Sequence, residues 1–169
     1  MKKNKIKDTG LEVTELSFGT SSLGSMPDTY GYEVSEDRAQ KTLNRFFQGP
    51  VNMLDTSRNY AMGESEKRIG KAIKENGGWP NGFLLSTKLD RNMDTLVLDK
   101  NRVRESLEES LKTLNVDSVD ILFLHDPEYA KDITDITKKD GAMDELFKIK
   151  NEGLAKAAGV AMGKVDIMF

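Results

Sequence analysis

The chain has 169 residues, a hydrophobic fraction of 37% and a formal net charge of −3, values that suit one folded domain rather than a disordered segment. It has no basic stripe interleaved with aromatic residues, no apolar stretch behind its charged start, and no run near the ~18 apolar residues of a membrane span, so nucleic acid and membranes are not expected partners. The absence of cysteine excludes disulfides and thiolate-bound metal, and it favours a cytoplasmic location.

Residues 1–15 are expected to form a small hairpin. In KNKIKDTGLEVT the apolar residues alternate on either side of Asp8-Thr9-Gly10, a sequence typical of a tight turn. We expect this hairpin to cover the N-terminal mouth of the structure that follows.

From residue 16 onward, short apolar runs alternate with longer amphipathic segments. Five runs have the length of strands and are bounded by turn or polar residues: 16–20, 51–56, 83–88, 120–125 and 155–161. Four segments have helical periodicity: 35–49, 63–78, 102–114 and 142–153. MGKVDIMF, at 162–169, resembles the start of a further helix, and 128–141 is expected to be an extended solvated loop. The pattern is βαβαβαβαβ.

The strand ends recur at a nearly constant interval. Thr20, Asp55, Lys88 and His125 end four successive runs, at spacings of 35, 33 and 37 residues. A (β/α)₈ barrel gives about 31 residues per unit. A doubly wound sheet also alternates strands and helices, but its glycine-rich first turn is not found in LSFGTSSLGSM. We therefore predict an α/β fold, the N-terminal part of a TIM barrel, with one domain over 1–169 whose units one to five occupy 16–169.

Three consecutive strands end in an ionisable residue: Asp55, Lys88 and the single histidine, His125. Taken singly, each has a structural explanation, such as a turn aspartate, a lysine reaching solvent or a hydrogen-bonded histidine. Their coincidence at one relative position favours function, because barrel enzymes place reactive side chains where strands end. Tyr60 lies in the loop after Asp55, and a lysine beside a phenol favours the phenolate. Together they suit proton transfer to or from a small carbonyl or alcohol.

The segments LSFGT, NMLDTSRNYAMGESEKRIGKAI, LLSTK and SLEESLKTLNVDSVDILFLHDPE resemble the aldo-keto reductases. Three segments are most similar in sequence to the branch of sugar dehydrogenases that includes L-fucose and D-threo-aldose 1-dehydrogenases: GPVNMLDTSRNY, GFLLSTKLDR and LFLHDPE. The resemblance covers nearly the whole chain. It implies a (β/α)₈ barrel that uses NADP or NAD on a carbonyl or sugar substrate.

The resemblance also implies a role for each polar residue. Tyr60 would donate and accept the proton, Lys88 would favour its ionised form, and Asp55 would pair with Lys88. His125 would orient the substrate carbonyl. The cofactor-binding residues that it implies, at the nicotinamide and its ribose, are Gly19, Thr20 and Asp55.

Two departures from the family pattern concern the cofactor. Val160, Ala161 and Met162 stand where the family often has Ser-Asn, and strands six to eight, which hold the rest of the nucleotide, are not in the 169 residues. We therefore expect weak NAD(P) binding by this chain alone. The chain is then either a fragment of a longer product or a partner of a second copy or a complementing chain. An inactive remnant that acts through association is the alternative function. A metal-dependent barrel hydrolase is disfavoured, because one histidine and scattered carboxylates form no recognisable ligand set and no metal site is expected.

Overall fold

The computed structural model describes residues 1–164, so the helix expected to begin within 162–169 lies largely outside the described residues. The strands run over Lys3–Ile6 (β1), Leu11–Thr14 (β2), Phe18–Gly19 (β3), Met53–Asp55 (β4), Leu84–Leu89 (β5), Val119–His125 (β6) and Ala155–Ala161 (β7). The α-helices run over Pro27–Tyr30 (α1), Glu36–Phe47 (α2), Glu64–Glu75 (α3), Lys100–Leu114 (α4), Thr134–Thr137 (α5) and Ala142–Asn151 (α6). Within residues 1–164, no helix has the length and apolar character needed to cross a bilayer.

The main sheet has five parallel strands in the order β3-β4-β5-β6-β7, which is also their order along the chain. Each strand is joined to the next by a segment that contains a helix, the repeating connection expected of successive barrel units. β1 and β2 form a separate antiparallel hairpin. The α/β fold predicted from the sequence is confirmed.

Two sets of apolar side chains, one on each face of the sheet, build the core. Alternate strand residues, such as Leu54, Leu85 and Leu122, point outward and pack with α2, α3, α4 and α6. The residues between them point inward. At the N-terminal end of that inner face, Leu84 and Ile121 pack with the hairpin residue Leu11. The hairpin thus covers the bottom of the sheet and leaves its opposite end for polar groups.

Three local expectations differ from the structure. β3 has two residues instead of five, because this edge strand pairs on one side only, through Phe18 and Gly19. α4 begins two residues early, since the Asp99 side chain accepts from the Arg102 N–H and caps the helix. The segment 128–141 is not one extended loop: it contains α5, held by the buried side chain of Ile136.

Gly70 lies where α3 packs against α4. A Cβ at this position would be 2.0 Å from the Thr113 carbonyl oxygen. In a helix interior, Gly→Ala normally stabilises by about 1 kcal/mol. Here we expect Gly70→Ala to lower the free energy of unfolding by about 1–3 kcal/mol, because the two helix backbones must move apart. Urea unfolding measures this, with the exposed Lys74→Ala on the same helix as a control that stays within about 0.5 kcal/mol. A stabilised Gly70→Ala variant would contradict the close contact.

Candidate active site

The four side chains singled out from the sequence lie together at the C-terminal end of the inner sheet face. Asp55 ends β4, Lys88 lies near the end of β5 and His125 ends β6. Tyr60 begins a short 3₁₀ turn, Tyr60–Gly63, in the loop after β4. The parallel register of the three strands places these side chains on one face.

Lys88 is the centre of the cluster. Its Nζ donates to Asp55 Oδ2 at 2.7 Å, to the Thr56 carbonyl oxygen at 2.7 Å and to the Tyr60 hydroxyl oxygen at 3.1 Å. An ammonium group has three donors, so all three are used. The Lys88 side chain is only 7% exposed, and Asp55 provides its counter-charge. The Ser86 hydroxyl holds the other Asp55 oxygen, Oδ1, at 3.0 Å.

The Tyr60 hydroxyl oxygen accepts a hydrogen bond from Lys88, which leaves its own proton for a different acceptor. Its ring lies 4.7 Å from Lys88 Nζ and 5.9 Å from the His125 ring, the two rings being nearly perpendicular. Tyr60 is half-buried. A phenol in this arrangement can exchange a proton with a small molecule that lies beside the imidazole ring.

The backbone that carries Tyr60 has a left-handed turn directly after it. Ala61, Met62 and Gly63 all have positive φ angles, of 51°, 54° and 92°. A Cβ at Gly63 would lie 1.9 Å from Arg58 Nη1, so a larger residue there would require the Arg58 side chain to move. Non-glycine residues in this region carry strain that often marks a functional site. The turn directly follows the residue whose hydroxyl oxygen lies 3.1 Å from Lys88 Nζ.

Two residues of the site were not identified from the sequence: Asp90 and Ser57. His125 Nδ1 lies 2.6 Å from Asp90 Oδ1 and 3.1 Å from Ser57 Oγ. Both partners are fully buried. Each follows a predicted site residue by two positions, Asp90 after Lys88 and Ser57 after Asp55. A period of two along an extended chain keeps side chains on one face, and this signal could have indicated them.

The candidate cofactor residues Gly19 and Thr20 lie at the end of β3, next to Asp55. Gly19 is exposed, and a Cβ there would meet no atom within 4 Å, so the backbone is open to a flat group. The Thr20 hydroxyl donates to the Asp55 carbonyl oxygen at 2.9 Å. The Thr20 side chain therefore links β3 to β4. Its hydroxyl proton takes part in this hydrogen bond and is not available to a cofactor.

Glu66 is a buried carboxyl on α3, behind the site. Its Oε1 accepts from the Thr87 hydroxyl at 2.6 Å, and its buried Oε2 has no hydrogen-bond partner among residues 1–164. Burial raises the pKa of Glu66 to about 6, an effect that the Thr87 hydrogen bond opposes. The folded chain therefore holds this proton more tightly than the unfolded chain does.

We expect the stability that Glu66 contributes to be fully present below pH 4.5 and lost as the pH rises through about 6. The loss amounts to about 2 kcal/mol. Glu66→Gln should remove this pH dependence and be more stable than wild type at pH 7.5, since its amide can donate to the nearby Ser110 hydroxyl. Urea unfolding of both proteins from pH 4 to 8 measures the difference. Parallel curves for the two proteins would contradict the assignment.

Within residues 1–164, no group of three His, Cys, Asp or Glu side chains is arranged to hold a metal ion. The candidate site therefore consists of one phenol, one ammonium, one imidazole and the carboxylates that hold them. Groups of these types can move protons and stabilise an oxyanion, and none of them carries a hydride.

Two curated proteins are similar in sequence to this chain over about half of their own length. The chain is 35% identical over 160 residues to L-galactose dehydrogenase of Arabidopsis thaliana, covering 95% of this chain and 48% of that protein. It is 29% identical to D-threo-aldose 1-dehydrogenase of a Pseudomonas species, covering 89% of this chain and 50% of that protein. The chain thus spans about half the length of these curated relatives.

A solved structure supports the assignment of the fold. An aldo-keto reductase from Bacillus halodurans, in its holo form, superposes with a TM-score of 0.78 at 26% identity, over 99% of this chain and 52% of that chain. The prediction that the five strands are the N-terminal part of a (β/α)₈ barrel is therefore confirmed. Residues 15–168 match the sequence model of the aldo/keto reductase family. The chain belongs to the aldo/keto reductase family.

Proposed function

We propose that this site transfers a hydride between NADP or NAD and a carbonyl or sugar substrate, with Tyr60 as the proton donor and acceptor. The observation that carries the proposal is the Lys88 ammonium, which bridges Asp55 and the Tyr60 hydroxyl. Similarity to an L-galactose dehydrogenase and a D-threo-aldose 1-dehydrogenase favours a small aldose as the substrate.

In the direction of sugar oxidation, ionised Tyr60 accepts the proton of the substrate hydroxyl. The C–H bond that breaks is on the substrate carbon that bears this hydroxyl. Lys88 stabilises the phenolate until that proton arrives, and Asp55 keeps Lys88 charged and in place. In the reverse direction, Tyr60 donates the same proton to the carbonyl oxygen. Such general acid–base catalysis contributes about 10²–10⁴ to the rate.

The residues at the mouth of the sheet fit the nicotinamide end of the cofactor. Gly19 offers an open backbone surface beside Asp55, where a flat ring can approach without meeting a side chain. Thr20 holds this part of β3 against β4 through the hydrogen bond from its hydroxyl to the Asp55 carbonyl oxygen. When bound, NAD(P) supplies or accepts the hydride, which no side chain of the site can do.

We propose further that residues 1–169 act as one partial barrel domain that other βα units complete. β3 and β7 are edge strands of the described sheet, and the apolar side chains of Phe18, Phe46 and Val51 line a groove beside β3. Unpaired edges and apolar grooves favour association. The completing units belong to the rest of a longer product, to a second copy in a homo-oligomer, or to a complementing chain. The cysteine-free composition supports a cytoplasmic location.

The alternative function is an inactive remnant that acts only through association. A titration of the purified chain with NADPH and NADH, followed by nucleotide fluorescence, separates the two. Saturable binding with a Kd in the micromolar range, about −8 kcal/mol, supports the oxidoreductase. No binding at millimolar nucleotide would support the remnant.

A further inference from the structure

His125 is held by a buried carboxylate on a neighbouring strand end. Asp90 follows the last residue of β5, and its side chain has no exposed surface. Its Oδ1 lies 2.6 Å from His125 Nδ1. Its Oδ2 accepts from the Ser57 hydroxyl at 2.7 Å and from the backbone N–H of Asn59 at 3.0 Å. The carboxylate therefore has defined partners on both oxygens.

These contacts determine which imidazole nitrogen carries the proton. An ionised carboxylate can only accept hydrogen bonds, so the 2.6 Å contact requires a proton on Nδ1. The Ser57 hydroxyl gives its own proton to Asp90, and its oxygen can only accept from His125. In the neutral ring, Nε2 is then an acceptor without a proton.

We propose that Asp90, supported by Ser57, is a positioning residue that keeps neutral His125 in the Nδ1–H form, so that Nε2 donates a hydrogen bond only when the ring is doubly protonated. When the second proton binds, Asp90 provides the counter-charge. The catalytic consequence rests on the proposed function, because it concerns a substrate oxygen beside Nε2. The assignment of the proton to Nδ1 does not depend on it.

The charged and titratable groups around the ring come from three elements. Asp90 faces Nδ1 from the end of β5, and Asp126, next to His125, has its Oδ2 3.9 Å from Nε2. The Tyr60 ring lies edge-on at 5.9 Å, with Lys88 beyond it. Asp126 is too distant for a direct hydrogen bond, so Asp90 is the partner that selects the protonated nitrogen.

Asp90→Asn is an isosteric test with a predictable orientation. The backbone N–H of Asn59 is a fixed donor, so the amide oxygen must take the position of Oδ2. The amide NH₂ then faces His125 Nδ1 and donates to it. In this variant, neutral His125 should carry its proton on Nε2, the reverse of wild type.

The chain has one histidine, so its imidazole nitrogens can be observed without assignment. We expect the ¹H–¹⁵N long-range spectrum of the untagged, ¹⁵N-labelled chain, at a pH where the ring is neutral, to show a protonated Nδ1 and an unprotonated Nε2. In Asp90→Asn, Nε2 should be protonated and Nδ1 unprotonated. Ser57→Ala, which keeps Asp90, should show the wild-type pattern. A wild-type spectrum with the proton on Nε2, or an unchanged pattern in Asp90→Asn, would overturn the proposal.

The pH profile of turnover gives the catalytic readout. From low to high pH, carbonyl reduction should fall less in Asp90→Asn than in wild type, because the neutral ring of the variant still donates through Nε2. An equal fall in both proteins would overturn the link between Asp90 and donation. If the chain has no turnover at all, the proposed function fails while the spectrum still decides the protonation of His125.

Discussion

Replacing Tyr60 by phenylalanine is expected to reduce turnover by about 10²–10⁴ while the Kd for NADPH changes less than about threefold. The substitution removes one oxygen and keeps the ring that packs edge-on against His125. It removes a hydroxyl proton that is not used in the bond to Lys88, since Lys88 is the donor in that bond. Steady-state kinetics and nucleotide fluorescence measure the two quantities separately.

A matched control is available in Tyr32, an exposed tyrosine near the start of α2. Tyr32→Phe makes the same chemical change away from the cluster, and it should leave turnover within about twofold of wild type. If Tyr60→Phe kept more than a tenth of the wild-type turnover, Tyr60 would not be the proton donor. An equal loss in both variants would indicate damage unrelated to the site.

Replacing Asp55 by leucine is expected to lower the free energy of unfolding by about 3–5 kcal/mol, since it leaves the buried Lys88 charge without a counter-charge. Lys88 keeps only the Thr56 carbonyl and the Tyr60 hydroxyl, which are neutral partners. Lys88→Met should cost less, because the remaining Asp55 carboxylate is 27% exposed and still accepts from Ser86. Urea unfolding at neutral pH gives both values.

The double variant, Asp55→Leu with Lys88→Met, tests whether the loss comes from an unpaired charge. Replacing both members of a buried ion pair by apolar residues is often neutral or stabilising, so the double variant should be more stable than Asp55→Leu alone. A double variant that is less stable than both single variants would mean that Lys88 is not penalised by burial in Asp55→Leu. The pair would then stabilise the fold chiefly through packing.

The polar strand ends were predictable because the strands of a parallel sheet all end at the same edge. Asp55, Lys88 and His125 each close an apolar run of strand length, and neighbouring parallel strands bring their C-terminal ends to one edge. The fifth strand, Ala155–Ala161, was predicted with the bounds that the structure has. The roles of these residues and of Tyr60 stay a proposal, since the geometry places them together without testing the chemistry.

Other features depend on contacts that a sequence pattern does not express. The position of Asp90, two residues after Lys88, indicates the same face, but only the fold brings its carboxylate within 2.6 Å of a histidine 35 residues away. Glu66 lies three positions before Ile69 on the buried face of its helix, and only the fold shows that Thr87 is its partner. β3 was predicted too long, because an edge strand has a single neighbour to extend its ladder.

The most direct test follows the transferred hydrogen itself. The chain is incubated with L-galactose deuterated at C1 and with NADP⁺ or NAD⁺, and the nucleotide is analysed by mass spectrometry. The proposed function predicts deuterium in the reduced nicotinamide with the wild-type chain, and a rate lowered about 10²–10⁴ in Tyr60→Phe. Turnover of this sugar without deuterium in the nucleotide, or equal rates in the two proteins, would contradict it.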